Sequence, residues 1–226
     1  MKALEENGRF GRGTLGQRAV VLLAVVLAYG ANFWPLPQLQ ALMFGWLDHP
    51  EYEGFKGAFL PHFLIYTAPL ALWCGLLWFG LVKAGLIDPP ALRNVRRSLV
   101  VGMIGAAISL VGLFLFAWFM MPAGSIHWIP PQPWKIAGNV FSNFYEEFIY
   151  RGFLLVALTR VAGFWPAAVA SSVMWGVLHS QYPLSLQLLV IAFGIYWSWL
   201  AVQARSLWAP YTTHMISDLI ADCLIG

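Results

Sequence analysis

Four of the ten acidic residues in this 226-residue chain, Glu146, Glu147, Asp218 and Asp222, stand inside long apolar stretches. A charge at the centre of a membrane helix costs about 2.5–3.5 kcal/mol, so each needs a reason to be there. Glu147 and Arg151 are one helical turn apart with the acid on the N-terminal side, the order that favours an ion pair on one helix. Glu146 is rotated from Glu147 by about 100° around the same helix, and its own stretch offers it no obvious partner. A carboxylate without a counter-ion in a water-poor setting is a candidate general base.

Two histidines join this set. His179 closes an apolar stretch one turn after Trp175, and His214 lies one turn before Asp218, so the last two share a helix face. Asp222, one further turn along, is a second partner for that pair or an interfacial residue near the helix end; the interfacial reading is the expectation. Helices in lipid are usually held together by Ser, Thr, Asn or Gln. Two glutamates, an arginine, two histidines and an aspartate on three stretches point instead to an active centre. His49, His62 and His127 stand near stretch ends or in loops beside Pro and aromatic residues, where interfacial placement accounts for them.

The elements that must position these groups are set by composition. The chain is 60% hydrophobic and 10% charged, with a mean hydropathy of +0.69; a soluble domain carries about 25% charge. Apolar blocks run near Ala19 to Trp34, Phe59 to Val82, Leu99 to Met121, Ile136 to Leu158, Phe164 to His179, Leu184 to Val202 and Leu207 to Ile225. Each is close to the roughly twenty residues that cross a bilayer, and none shows the alternation of a barrel strand. The backbone in lipid must satisfy its own hydrogen bonds. The expected fold is therefore an all-α integral membrane bundle of about seven transmembrane helices. A short helix lying in the interface is expected over Leu36 to Trp46, whose apolar residues recur at helical spacing. The chain divides into an N-terminal part, 1–135, and a core carrying the unusual charges, 136–226.

Orientation follows from the basic residues. With the N-terminus in the cytoplasm and the C-terminus outside, Lys2, Arg9, Arg12, Arg18, Lys83, Arg93, Arg96, Arg97, Arg160 and Arg205 fall inside, and only Lys56 and Lys135 fall outside. Scattered in this way, the net charge of +3 gives no basic face for nucleic acid; the lipid bilayer is the expected partner. Cys74 and Cys223 both sit in apolar blocks and make neither a disulfide framework nor a paired-thiolate metal site.

The run from Glu146 to Arg151 resembles the EExxxR motif of the CPBP family, the CAAX proteases and bacteriocin-processing proteins, also called glutamic-type intramembrane endopeptidases. Trp175 to His179 is similar to that family's aromatic-x-x-x-His motif, with Trp where Phe is more frequent. His214 to Asp218 is similar to its His-x-x-x-Asn/Asp motif, preceded by a like approach at Ser206 to Pro210, and Ser198 stands where a second small Gly often follows Gly194. Order and spacing agree over Asn139 to Leu219.

The resemblance implies a catalytic set of Glu146, His179, His214 and Asp218, supported by Glu147, Arg151 and Trp175. Glu146 activates water held by His179, and His214 and Asp218 face the oxyanion. An ionised Asp218 only accepts hydrogen bonds, so it acts there by donating a proton of its own or by orienting His214.

It also implies a membrane-associated protein or peptide as substrate, no cofactor, and residence in a bacterial inner membrane. The same residues admit a zinc-dependent version with Glu146, His179 and His214 as ligands, although HExxH is missing. They also admit a non-catalytic transporter, scaffold or immunity protein.

Overall fold

The structure, a computed structural model, describes residues 13–46, 67–89, 92, 94–121, 127, 128, 130 and 133–224. Among them every regular element is helical. Helix α1 spans Leu15–Gly30, α2 Leu36–Trp46, α3 Ala68–Lys83 and α4 Val95–Met120. Helix α5, Pro133–Glu147, runs directly into a π-helical segment, Phe148–Leu154, and that into α6, Leu155–Ala162. Helices α7, α8 and α9 are Phe164–Val177, Leu184–Ala204 and Trp208–Leu224. Each apolar block of the sequence is thus helical over most of its described part, and a short helix is present at Leu36–Trp46. The start of the second block from Phe59, with His49, Lys56 and His62, lies outside the described residues, as do Lys2, Arg9, Arg12 and Arg93.

Local signals explain the ends. Thr14 caps α1, accepting from the Gln17 amide while the Gln17 side chain takes the Thr14 amide, the reciprocal arrangement that satisfies two orphan donors. Gly163 turns the chain from α6 into α7 in one residue at φ +84, a backbone region that costs glycine nothing. Pro183 precedes α8 in extended conformation.

Packing is inverted relative to a soluble bundle. The buried residues of α4 are small: Ser98, Gly102, Gly105, Ala106, Ser109 and Ala117. Its bulky residues Met103, Ile104, Ile108, Val111 and Leu115 are exposed. Lipid tails solvate a leucine as well as a protein interior does, so membrane helices associate through small residues that let backbones approach. Helices α4 and α9 make that approach. A Cβ on Gly102 would lie 2.6 Å from Thr212 Cβ and 2.7 Å from the Ala209 carbonyl oxygen. Thr213 Oγ1 crosses the same contact to donate to Gly102 O at 3.0 Å. Helices α4 and α8, of 26 and 21 residues, are each long and apolar enough to cross a membrane; α1, α3 and α7 are shorter apolar helices.

Helices α8 and α9 pack beside α4 and on each other, α5 packs on α9 and α7 on α8, so the faces of α5, α7, α8 and α9 converge. On the other side α1 packs against α3 and α6, and α3 against the π segment. Trp175, Trp197, Phe153 and Leu154 fill the centre of the bundle.

Candidate active site

Asn139, Ser142, Asn143 and Glu146 recur at three- and four-residue steps along α5, one face of a helix, and that face lines a cavity of about 400 Å³. Across it stand Trp175 and His179 from α7 and the turn after it, Trp197 from α8, and His214, Ser217, Asp218 and Asp222 from α9. The four residues expected to act together, Glu146, His179, His214 and Asp218, therefore line one cavity. His179 reaches it because α7 ends at Val177 and the histidine sits in the following turn, with its amide bonded to Gly176 O at 3.1 Å.

The two glutamates have different surroundings. Glu147 is buried, and its Oε1 accepts from Arg151 Nη1 at 3.1 Å and faces His214 Nδ1 at 2.9 Å. The expected one-turn ion pair is present and joins the last residue of α5 to the π segment. That segment carries an i→i+5 bond from the Leu155 amide to Tyr150 O, a widening found mostly at functional sites. Arg151 is also sandwiched, its guanidinium carbon 4.5 Å from the Trp175 ring centre and 5.5 Å from that of Trp197; aromatic faces attract such a cation. Gly194 makes room for this, because a Cβ there would lie 2.8 Å from Ser172 and 3.1 Å from Arg151 Nη2. Ser198, the next small position on α8, is buried and donates to Gly194 O at 2.8 Å.

Glu146 finds its partner on another helix: Trp175 Nε1 donates to its Oε2 at 2.7 Å. The Trp175 ring then touches both histidines, with centroids 5.1 Å from His179 and 5.3 Å from His214. His179 Nδ1 is 2.9 Å from Trp175 O. A carbonyl only accepts, so Nδ1 carries a proton, and in the neutral ring Nε2 keeps its lone pair.

His214 is buried between carboxylates, with Nε2 3.2 Å from Asp218 Oδ2 on one side and Glu147 on the other. Ionised carboxylates only accept, so both ring nitrogens donate. Arg151, Glu147, His214 and Asp218 then form an electrically balanced chain, open to the cavity at Asp218, whose side chain is 40% exposed. Asp222 accepts from Asn139 Nδ2 at 3.0 Å on the cavity wall.

Asn143, Trp197 and Tyr182 are among the cavity residues to which the motifs do not point. Asn143 was hidden among ordinary interhelical polar residues, although its spacing from Glu146 places both on one face. Trp197, whose Nε1 donates to Ser109 Oγ at 3.0 Å, is one aromatic among many in α8. Tyr182, in the turn between α7 and α8, stacks on His179 with centroids 5.7 Å apart. Burial pushes its phenol up, and Asp218, Asp222 and Glu146 add to this by opposing another negative charge; a hydrogen bond with Gln181 works the other way. Among the described residues, no three His, Cys, Asp or Glu side chains are grouped to hold a metal ion.

Residues 128–220 match the family model described as Type II CAAX prenyl endopeptidase Rce1-like. Over these residues the chain is similar to the Rce1-like CAAX endopeptidases, which supports the CPBP resemblance. The Rce1-like stretch begins after α4 and contains Glu146, Glu147, Arg151, Trp175, His179, His214 and Asp218, the residues on which the CPBP resemblance rests. No curated protein and no solved structure matches the chain.

Proposed function

We propose that this protein is an intramembrane endopeptidase of the CAAX-protease type that hydrolyses a peptide bond in a membrane-associated protein or peptide by glutamate-activated water. The observation that carries this reading is the placement of Glu146 on the cavity wall with one oxygen held by Trp175 Nε1. Its other oxygen is left for water, and His179, with Nε2 unprotonated, lines the same cavity. Glu146 takes a proton from that water as its oxygen attacks the scissile carbonyl carbon. The proton then passes to the leaving amine as the C–N bond breaks, which regenerates the carboxylate. Glu147 and Arg151 do no chemistry: they hold each other and His214 in place.

The membrane setting of the proposal is a multi-pass protein with seven spans, N-terminus in the cytoplasm and C-terminus outside, supported by the distribution of Lys and Arg between the apolar blocks. Reporter fusions at the two ends check the orientation; an N-terminal reporter on the exported side would overturn it. For the chemistry, purified protein in proteoliposomes is assayed with quenched fluorescent peptides, with and without a lipidated cysteine. Glu146→Gln, which keeps shape and removes the base, is expected to abolish turnover at unchanged protein level. Turnover by Glu146→Gln near that of the parent protein would sink the mechanism, and loss of activity to a chelator with recovery on adding zinc would replace it by metal-activated water.

A further inference from the structure

Attack of water on a peptide carbonyl places negative charge on its oxygen, and catalysis needs a donor aimed where that charge develops. Most donors around the cavity are already committed. His214 spends one ring nitrogen on Glu147 and the other on Asp218. Asp218, while ionised, has no hydrogen to give. Trp175 Nε1 is taken by Glu146, and Asn139 Nδ2 by Asp222.

One amide is left over. Asn143 is 2% exposed, lies on the cavity-lining face of α5 one turn before Glu146 and Glu147, and takes the Ser142 hydroxyl on its Oδ1 at 3.2 Å. With Oδ1 taking that hydroxyl, its Nδ2 has no hydrogen-bond partner among the described residues. Buried donors in native proteins are almost always satisfied, and a substrate carbonyl oxygen is a partner this one lacks until catalysis begins. We propose that Asn143 Nδ2 donates to the oxyanion of the tetrahedral intermediate. In this arrangement His214 and Asp218 act as positioning residues: His214 neutralises and orients Glu147, and Asp218 holds His214. The inference rests on the Glu146 reading above.

The test uses the full-length protein with Asn143→Leu, similar in size and without a donor, and Asn143→Ala where leucine does not accumulate. Three quantities are read: kcat, KM, and the inhibition constant of a peptide phosphinate whose tetrahedral oxygen imitates the oxyanion. That constant does not depend on the fraction of protein that folds. Expected are a fall in kcat of about 10²–10³-fold, a KM close to that of the parent, and inhibition weakened by a similar factor. A kcat and inhibition constant near parent values overturn the proposal, as does a kcat loss with unchanged inhibition, which marks a merely structural role. The same signature in Ser217→Ala but not at Asn143 overturns it too, since Ser217 Oγ also lacks a partner there. Inactive Glu146→Gln beside active Asn143→Leu removes the donor assignment alone; active Glu146→Gln removes both readings.

Discussion

Trp175 donates its indole N–H to Glu146 at 2.7 Å from a helix that is 29 residues further along the chain. The bond fixes one carboxylate oxygen and the ring spaces the two histidines. Replacement by phenylalanine keeps the ring and removes the donor. Trp175→Phe is expected to lower kcat by roughly ten- to a hundredfold, the equivalent of about 1.5–3 kcal/mol for a hydrogen bond to a charged group, beside a loss of thermal stability from the smaller core side chain. Steady-state kinetics beside a melting curve separate the two; an unchanged kcat would mean that the proposed base needs no such orientation.

Glu147 and Arg151 are both buried within a polar chain whose charges balance. Either Glu147→Gln or Arg151→Leu leaves a charge without its counterpart, at an expected cost of about 3–5 kcal/mol. The double variant retains His214 with Asp218 and is expected to be more stable than the sum of the single losses predicts. Denaturation in detergent closes the cycle. Normal accumulation of Glu147→Gln with turnover alone lost would move Glu147 from support into the chemistry.

Gly105 faces α8 and α9 at a point where a Cβ would stand 2.5 Å from Leu200 Cδ1 and 2.6 Å from Thr213 Oγ1. Leu200 can turn aside, whereas Thr213 is tied by hydrogen bonds to Gly102 O and Ala209 O, both at 3.0 Å. Gly105→Ala is expected to destabilise by about 1–3 kcal/mol through overpacking, and Gly105→Leu to prevent accumulation. Protein level and melting temperature read both.

The Tyr182 phenol, lifted by burial and by three neighbouring carboxylates, binds its proton more tightly in the folded protein than in the unfolded chain. Its contribution is therefore complete below the ordinary tyrosine value of about 10 and declines as pH rises past it. Tyr182→Phe is expected to blunt the alkaline loss of stability and leave neutral pH unaffected. Melting curves between neutral and strongly alkaline pH test this; an unchanged alkaline limb would assign the loss to another group.

What the sequence reveals about this site is what lies along a single helix. Glu147 with Arg151 and His214 with Asp218 are each one turn apart, and helical geometry makes neighbours of such residues without knowledge of the rest. Contacts between helices carry no comparable signature. Trp175 with Glu146, and Glu147 with His214, depend on how α5, α7 and α9 pack, which the motif order hints at but does not place. Asp222 is read as interfacial because nothing nearby in sequence pairs with it; its partner, Asn139, is 83 residues away. The apolar blocks give the helices almost directly, since hydrophobic length is a property of the chain alone. The π segment is invisible to that reading, because hydropathy does not distinguish one helical pitch from another.

That segment fixes a phase relation. Each residue in an α-helix advances the face by about 100°, and a π turn takes up an extra residue before the face repeats. Helix α5 can therefore turn its polar side to the cavity while α6, continuous with it, lies against α1. Loss of one residue anywhere between Phe148 and Leu154 would preserve the hydropathy profile and could spare every catalytic side chain. It would also rotate one half of the span against the other, taking either Glu146 from the cavity or α6 from its neighbour. Insertions or deletions here are expected to be tolerated less than substitutions.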